Sequence, residues 1–169
     1  MLLSKEKIKH YIKEILLFIF TMTVIANIMS LYRSQSLNDA PLQIEKFKLI
    51  DNTTYTIDHT KPLLIHFWAT WCPTCKVEAS NIDLLSQYYQ VITIAVKSGT
   101  DYKIKKYLDE HGYNFKVVND KDGKLSQEFK VSGYPSSFIY DKNQELRFAE
   151  VGYTSSIGLI SRMLWSTYY

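Results

Sequence analysis

The 169-residue chain predicts an α/β fold: a mixed central sheet flanked by helices, preceded by one transmembrane helix. Three observations point there. Short apolar runs alternate with helix-patterned segments and close on a pair of strands joined by a turn. The only two cysteines, Cys72 and Cys75, enclose Pro73 and Thr74 straight after one apolar run and at the head of a helix-compatible segment. Near the N-terminus, residues 15–32 carry no charged side chain.

The N-terminal run nearly spans a bilayer core at about 1.5 Å per helical residue, and Ile12 extends it by a turn. Lys5, Lys7, Lys9 and Lys13 precede it and Arg33 follows, which keeps the N-terminus in the cytoplasm. No small-x-small cleavage site follows the run, and no cysteine near its end offers a lipid anchor. An uncleaved, single-pass anchor is therefore expected over a signal peptide or a buried core helix. Residues 1–33 read as cytoplasmic stub and anchor, 34–45 as a polar tether containing Ala40 and Pro41, and 46–169 as the folded domain.

Within that domain, residues 47–50 and 55–57 are expected as short strands around a turn at Asp51 and Asn52. Residues 63–68 are apolar apart from His66, as in a strand buried on both faces. Residues 75–89 place Ile82, Leu85 and Tyr89 at helical spacing, and 91–96 form a second buried strand. Residues 101–111 set Ile104, Tyr107 and Leu108 on one helix face, with Gly112 as C-cap. A strand at 115–118, a short helix at 124–129, strands at 137–140 and 147–151, and a helix at 155–165 complete the order.

The formal net charge is +3, and the N-terminal segment accounts for it: five basic residues there face only Glu6 and Glu14. The rest of the chain is balanced, so no basic patch for nucleic acid is implied. The hydrophobic fraction of 46% supplies one packed core.

A Cys-x-x-Cys on a strand-to-helix turn suits thiol–disulfide exchange. The first sulfur sits by unpaired N–H groups at the positive end of the helix, which favours thiolate. The second lies one turn away and can close a ring with the first. A zinc site needs further ligands, and His10, His59, His66 and His111 are scattered. A purely structural bridge closing so small a loop removes little chain entropy. An anchor would place the pair outside the cytoplasm, where disulfide chemistry has substrates.

The stretch Phe67-Trp68-Ala69-Thr70-Trp71-Cys72-Pro73-Thr74-Cys75-Lys76 and the turn Gly133-Tyr134-Pro135 resemble the thioredoxin fold, and more closely the membrane-anchored TlpA-like branch of bacterial extracytoplasmic thioredoxins. The resemblance spans roughly residues 47–165 and implies a protein disulfide oxidoreductase without a bound cofactor. It implies Cys72 as the exposed nucleophile, Cys75 as the partly buried resolving thiol, and Pro135 as a cis-proline. Trp71, Tyr134 and Pro135 are the expected substrate-facing residues, with Trp68 packing behind them and Lys97 a solvated charge. Glu78, three residues after Cys75, matches a glutamate of the cytochrome c maturation reductases in this group and is the candidate proton relay. His66 stands where thioredoxins carry a buried acid, and it becomes a second candidate proton acceptor because histidine titrates nearer neutrality. Ser136 departs from the Gly-Ala-Pro-Glu pattern of the maturation reductases, while the 91–99 strand and the tether resemble the copper-sensitivity suppressor branch.

The expected function is dithiol–disulfide exchange with protein thiols or disulfides, at the outer side of a bacterial inner membrane, with a membrane electron-transfer partner. Two narrower readings stand beside it: a reductase dedicated to apocytochrome c, and a chaperone holding copper(I) between two soft thiolates. No methionine cluster accompanies the thiols, and an intact Cys-x-x-Cys argues against a non-catalytic interaction domain.

Overall fold

The structure, a computed structural model, describes residues 5–34 and 41–168, without the side chains of residues 5, 6, 8, 26, 27 and 29–34. Helix α1 spans Lys5–Ser34. Its described apolar side chains, among them Leu16, Phe18, Phe20 and Ile25, are all exposed. Among the described residues no helix is long and apolar enough to cross a membrane. The expected span at 15–32 runs into the positions whose side chains are not described, and residues 35–40 of the tether lie outside the described residues.

Strands β1 (Lys46–Lys48) and β2 (Thr54–Thr56) form an antiparallel hairpin with Phe47 opposite Tyr55. Asp51 shapes its turn by accepting the Thr53 N–H at 2.9 Å and hydroxyl at 2.6 Å. The main sheet holds β3 (Leu63–Trp68), β4 (Gln90–Val96), β5 (Lys116–Asp120), β6 (Ser136–Tyr140) and β7 (Leu146–Val151), in the order β5-β4-β3-β6-β7. β3, β4 and β5 run parallel, β6 pairs antiparallel with β3, and β7 pairs antiparallel with β6. The parallel crossovers carry α2 (Pro73–Ser86) and α3 (Asp101–His111); α4 (Lys124–Glu128) leads into β6, and α5 (Ser156–Tyr168) follows β7. The fold is the expected thioredoxin-like α/β architecture with a mixed sheet.

Strand alternation divides the core in two. Leu63, Ile65 and Phe67 of β3 join Ile92, Ile94, Val96, Phe138 and Tyr140 beneath the hairpin's Phe47. Leu64 and Trp68 face the other way, onto Ile82 and Leu85 of α2, Ile104 and Leu108 of α3, and Leu159 and Met163 of α5. On that helix-covered side His66, Thr93 and Ser137 stand opposite one another across the three central strands. Each is buried and hydrogen-bonded: the His66 ring to Ser137 Oγ at 3.0 Å, and Thr93 Oγ1 between Trp68 Nε1 at 3.1 Å and the Lys116 carbonyl at 2.9 Å.

Several element ends differ from the sequence reading. α2 begins at Pro73 as expected, but it stops at Ser86 and releases residues 87–89 to turn bonds on Leu84 and Leu85. β5 runs on through the polar Asn119 and Asp120, whose place in the sheet is secured by β4 and not by their own propensity. Leu42, inside the segment read as tether, is buried, and its N–H bonds the Gln144 carbonyl at 3.0 Å.

Candidate active site

Cys72 occupies the N-cap of α2, with extended backbone, and its sulfur accepts the Cys75 N–H at 3.2 Å. This contact uses one of the orphan donors at the helix start and places a partial positive charge against the sulfur. The two cysteines are joined as a disulfide, with Cα atoms 5.3 Å apart. Both sulfurs are covered. Cys72 is 5% exposed and Cys75 2%, so the expectation of an open first cysteine is corrected. The cover comes from the facing loop: the Tyr134 carbonyl lies 3.7 Å from Cys72 Sγ. Trp71 and Tyr134 meet edge to face at 5.7 Å between ring centres beside it.

Tyr134–Pro135 is a cis peptide, as the resemblance implies. The Pro135 carbonyl accepts the Gly152 N–H at 2.8 Å, which ties this loop to the end of β7. Trp71 is 56% exposed, and its indole N–H reaches the Lys97 carbonyl at 3.3 Å. An exposed flat ring fixed at its polar end, next to a backbone carbonyl at the sulfur, makes a ledge suited to an extended peptide.

Glu78 lies one turn beyond Cys75 on the inward side of α2 and is fully buried. Its Oε1 accepts the Thr154 N–H at 3.1 Å, and among the described residues Oε2 has no partner. Burial pushes the carboxyl up to about 8, against the pull of the Thr154 N–H, and the nearby Glu150 charge adds to the rise. A surface helix carboxylate would show none of this.

His66 behaves differently from the expectation that it titrates near neutrality. Complete burial drives its imidazole down to about 3, because no acid beside it compensates the lost hydration. It is a neutral ring bonded to Ser137. With Trp68, Cys75, Ala79, Ile82 and Phe115 it lines a narrow crevice. Trp68 is buried as expected, its ring 5.6 Å from those of both Tyr107 and Phe115.

The sequence reading did not single out Thr154, Glu150 or Arg162. Thr154 Oγ1 donates to Glu150 Oε2 at 2.9 Å, and Glu150 Oε1 pairs with Arg162. Arg162 also donates to the Gly158 carbonyl at 2.8 Å, and nothing in the local sequence marks this cluster.

Comparison with known proteins fits this geometry. A profile of the AhpC/TSA family matches residues 35–149. The chain is 30% identical over 169 residues to a thioredoxin-like protein of Haemophilus influenzae, covering 96% of this chain and 99% of that one. It is 35% identical over 94 residues to the thiol:disulfide interchange protein DsbE of Escherichia coli (strain K12), covering 54% of this chain and 50% of the other. That alignment thus spans about half the length of the DsbE protein. The exposed lipoprotein thioredoxin Etrx1 of Streptococcus pneumoniae superposes with a TM-score of 0.64 at 22% identity, covering 75% of this chain and 99% of that structure, and supports the fold. With its cysteine pair capping α2 opposite a cis-proline, the chain belongs to the AhpC/TSA family, as a thioredoxin-like protein disulfide oxidoreductase.

Proposed function

We propose that the chain is a membrane-anchored extracytoplasmic oxidoreductase whose Cys72–Cys75 pair exchanges with disulfides or dithiols of partner proteins. The observation that carries this reading is the joint placement of the pair at the head of α2, the cis Tyr134–Pro135 peptide beside it, and the buried Glu78 one turn below. In the reducing direction the Cys72 thiolate attacks one sulfur of a substrate disulfide, forming a mixed disulfide and releasing the other sulfur as a thiolate. Ionised Glu78 takes the Cys75 proton. The Cys75 thiolate then attacks Cys72 Sγ, closes the Cys72–Cys75 disulfide and expels the second substrate thiolate. Two electrons pass from the protein dithiol to the substrate. The oxidising direction is the same path reversed.

Trp71, Tyr134 and Pro135 hold the substrate backbone beside Cys72, while His66 serves the core through its bond to Ser137. The domain division keeps residues 1–33 as stub and anchor, 34–45 as tether and 46–169 as the working domain. The exposed apolar side chains among the described residues of α1 support the anchor. A single pass then sets the active site outside a bacterial inner membrane, next to the membrane protein that restores its electrons.

Buried Glu78 also favours a second reading, a reductase dedicated to apocytochrome c. Ser136, in place of that group's glutamate after the cis-proline, keeps a broader substrate range in front. An insulin-reduction assay paired with anaerobic copper(I) titration tests the main reading. Turnover of insulin disulfides without stoichiometric copper retention is expected. Tight copper retention with no insulin reduction would replace it with the chaperone reading.

A further inference from the structure

The clamp behind Glu78 brings α2 against the distant stretch that runs from the end of β7 into α5. On one side Glu78 faces Cys75 along α2. On the other, Glu78 Oε1 takes the Thr154 N–H at 3.1 Å, and the Thr154 hydroxyl is fixed to Glu150 Oε2 at 2.9 Å. The other Glu150 oxygen pairs with Arg162 of α5. The guanidinium is itself held three ways: by Glu150, by the Gly158 carbonyl at 2.8 Å, and over the Phe148 ring at 5.8 Å. Gly158 leaves the room for this, since a Cβ there would sit 3.0 Å from Arg162 Nη1 and 3.1 Å from Thr154 Cγ2. Asn81 completes the frame, donating to the Thr154 carbonyl at 3.3 Å and accepting the Ser156 hydroxyl at 2.8 Å.

We propose that Glu150, clamped between Arg162 and the Thr154 hydroxyl, is a positioning residue that sets how readily Glu78 takes and releases a proton. The clamp acts in two opposed ways. Its grip on Thr154 keeps an N–H donor aimed at Glu78, which favours the ionised form. Its negative charge, on a side chain only 18% exposed, disfavours that form. Arg162 offsets part of the Glu150 charge, so its own influence on Glu78 passes through Glu150. Among the described residues the charged group that acts on Glu78 is Glu150 of β7, itself paired with Arg162 of α5, while Cys75 on α2 is held in the disulfide. The Tyr153 hydroxyl is engaged by Asn81 at 3.3 Å, and His66 on β3 stays neutral. Glu150 never touches the reacting sulfurs; it acts on the residue that does the proton transfer. The consequence for catalysis rests on the reading of Glu78 as proton acceptor, whereas the clamp itself does not.

The test follows the Glu78 carboxyl band by difference infrared spectroscopy on the full-length oxidised protein, with Glu78→Gln identifying the band. Glu150→Gln keeps an acceptor for the Thr154 hydroxyl and removes the charge. It should move the Glu78 midpoint down by about half a pH unit or more. Arg162→Met keeps the apolar contact with Phe148 and frees the Glu150 charge, which should move the midpoint up. Arg162→Lys should restore most of it, and the double variant should return to the Glu150→Gln midpoint. Single variants that leave the midpoint unmoved, or shift it in the same direction, overturn the clamp, because a merely structural role would not produce opposed shifts. The pH profile of mixed-disulfide resolution is measured in parallel. If the carboxyl midpoint moves as expected while that profile stays fixed, the clamp stands and the assignment of Glu78 as proton acceptor falls.

Discussion

Replacing Glu78 with glutamine should make the folded domain more stable at pH 8 than the parent, and the advantage should vanish in acid. Below about pH 4.5 the Glu78 proton is present in both the folded and the unfolded chain, so burial of the neutral acid costs little. As pH rises from 4.5 the unfolded chain ionises this carboxyl, while the folded chain keeps its proton until about 8. Stability present in acid is therefore lost progressively across that window, because the unfolded state gives up the proton first. Three and a half decades at about 1.4 kcal/mol each set a ceiling of about 5 kcal/mol. Partial water entry and local relaxation around the ion reduce the expected loss to about 2–3 kcal/mol. Glutamine keeps the acceptor for the Thr154 N–H and has no proton to release. Urea unfolding of parent and variant at pH 5 and pH 8 reads the effect directly. A stability difference that is the same at both pH values, to within about 0.5 kcal/mol, would falsify the burial argument, since the extrapolation itself is good to about that level.

The same substitution should slow resolution of the mixed disulfide near neutral pH by roughly three- to thirty-fold, with Cys72 alkylation little changed; parent-like rates across the neutral range would reduce Glu78 to a packing residue. Cys75→Ser should accumulate a partner on Cys72 as a stable mixed disulfide, visible on non-reducing gels, whereas Cys72→Ser should trap far less; equal trapping by both reverses or removes the assigned roles. Full-length protein should stay with membranes through a carbonate wash, and recovery of a soluble mature form starting near residue 34 would refute the anchor. Asp120→Ala should cost about 1–2 kcal/mol, because its carboxylate accepts the Leu125 and Ser126 N–H groups that open α4; a thermal midpoint equal to the parent's would refute that capping role.

What was legible in the sequence was what local pattern dictates. The apolar stretch ending at Trp68, the Pro73 start of α2, and the span of α3 with its Gly112 cap are each set within a few residues, and each is observed. The cysteine pair and its helix are equally local. Burial is not local. His66 and Glu78 were both candidate proton carriers, with Glu78 the first and the histidine second because imidazole titrates nearer neutrality. Desolvation separates them, pushing the acid up into the working range and the base down out of it. The cover over Cys72 depends on Tyr134, which the return of β6 beside β3 brings across from far along the chain. Thr154 reaches Glu78, and Glu150 and Arg162 stand behind it, through tertiary packing of the chain's C-terminal stretch on α2, and nothing in their own neighbourhood marks them. β5 was misplaced at its end because Asn119 and Asp120 look like turn residues until a neighbouring strand supplies their partners.

The polar row His66–Thr93–Ser137 has a consequence for how the chain finds its sheet. Sliding β3 by one residue against the layers above and below would turn the imidazole onto the side occupied by Phe129 and Phe138, away from the Ser137 hydroxyl that now pairs with it. Each polar group stranded in that way costs about 1–3 kcal/mol. A uniformly aliphatic set of central strands would tolerate such a slip far more cheaply. The row thus works as an index mark: it adds little to the depth of the native basin, but it raises the energy of the misaligned sheets that would compete with it.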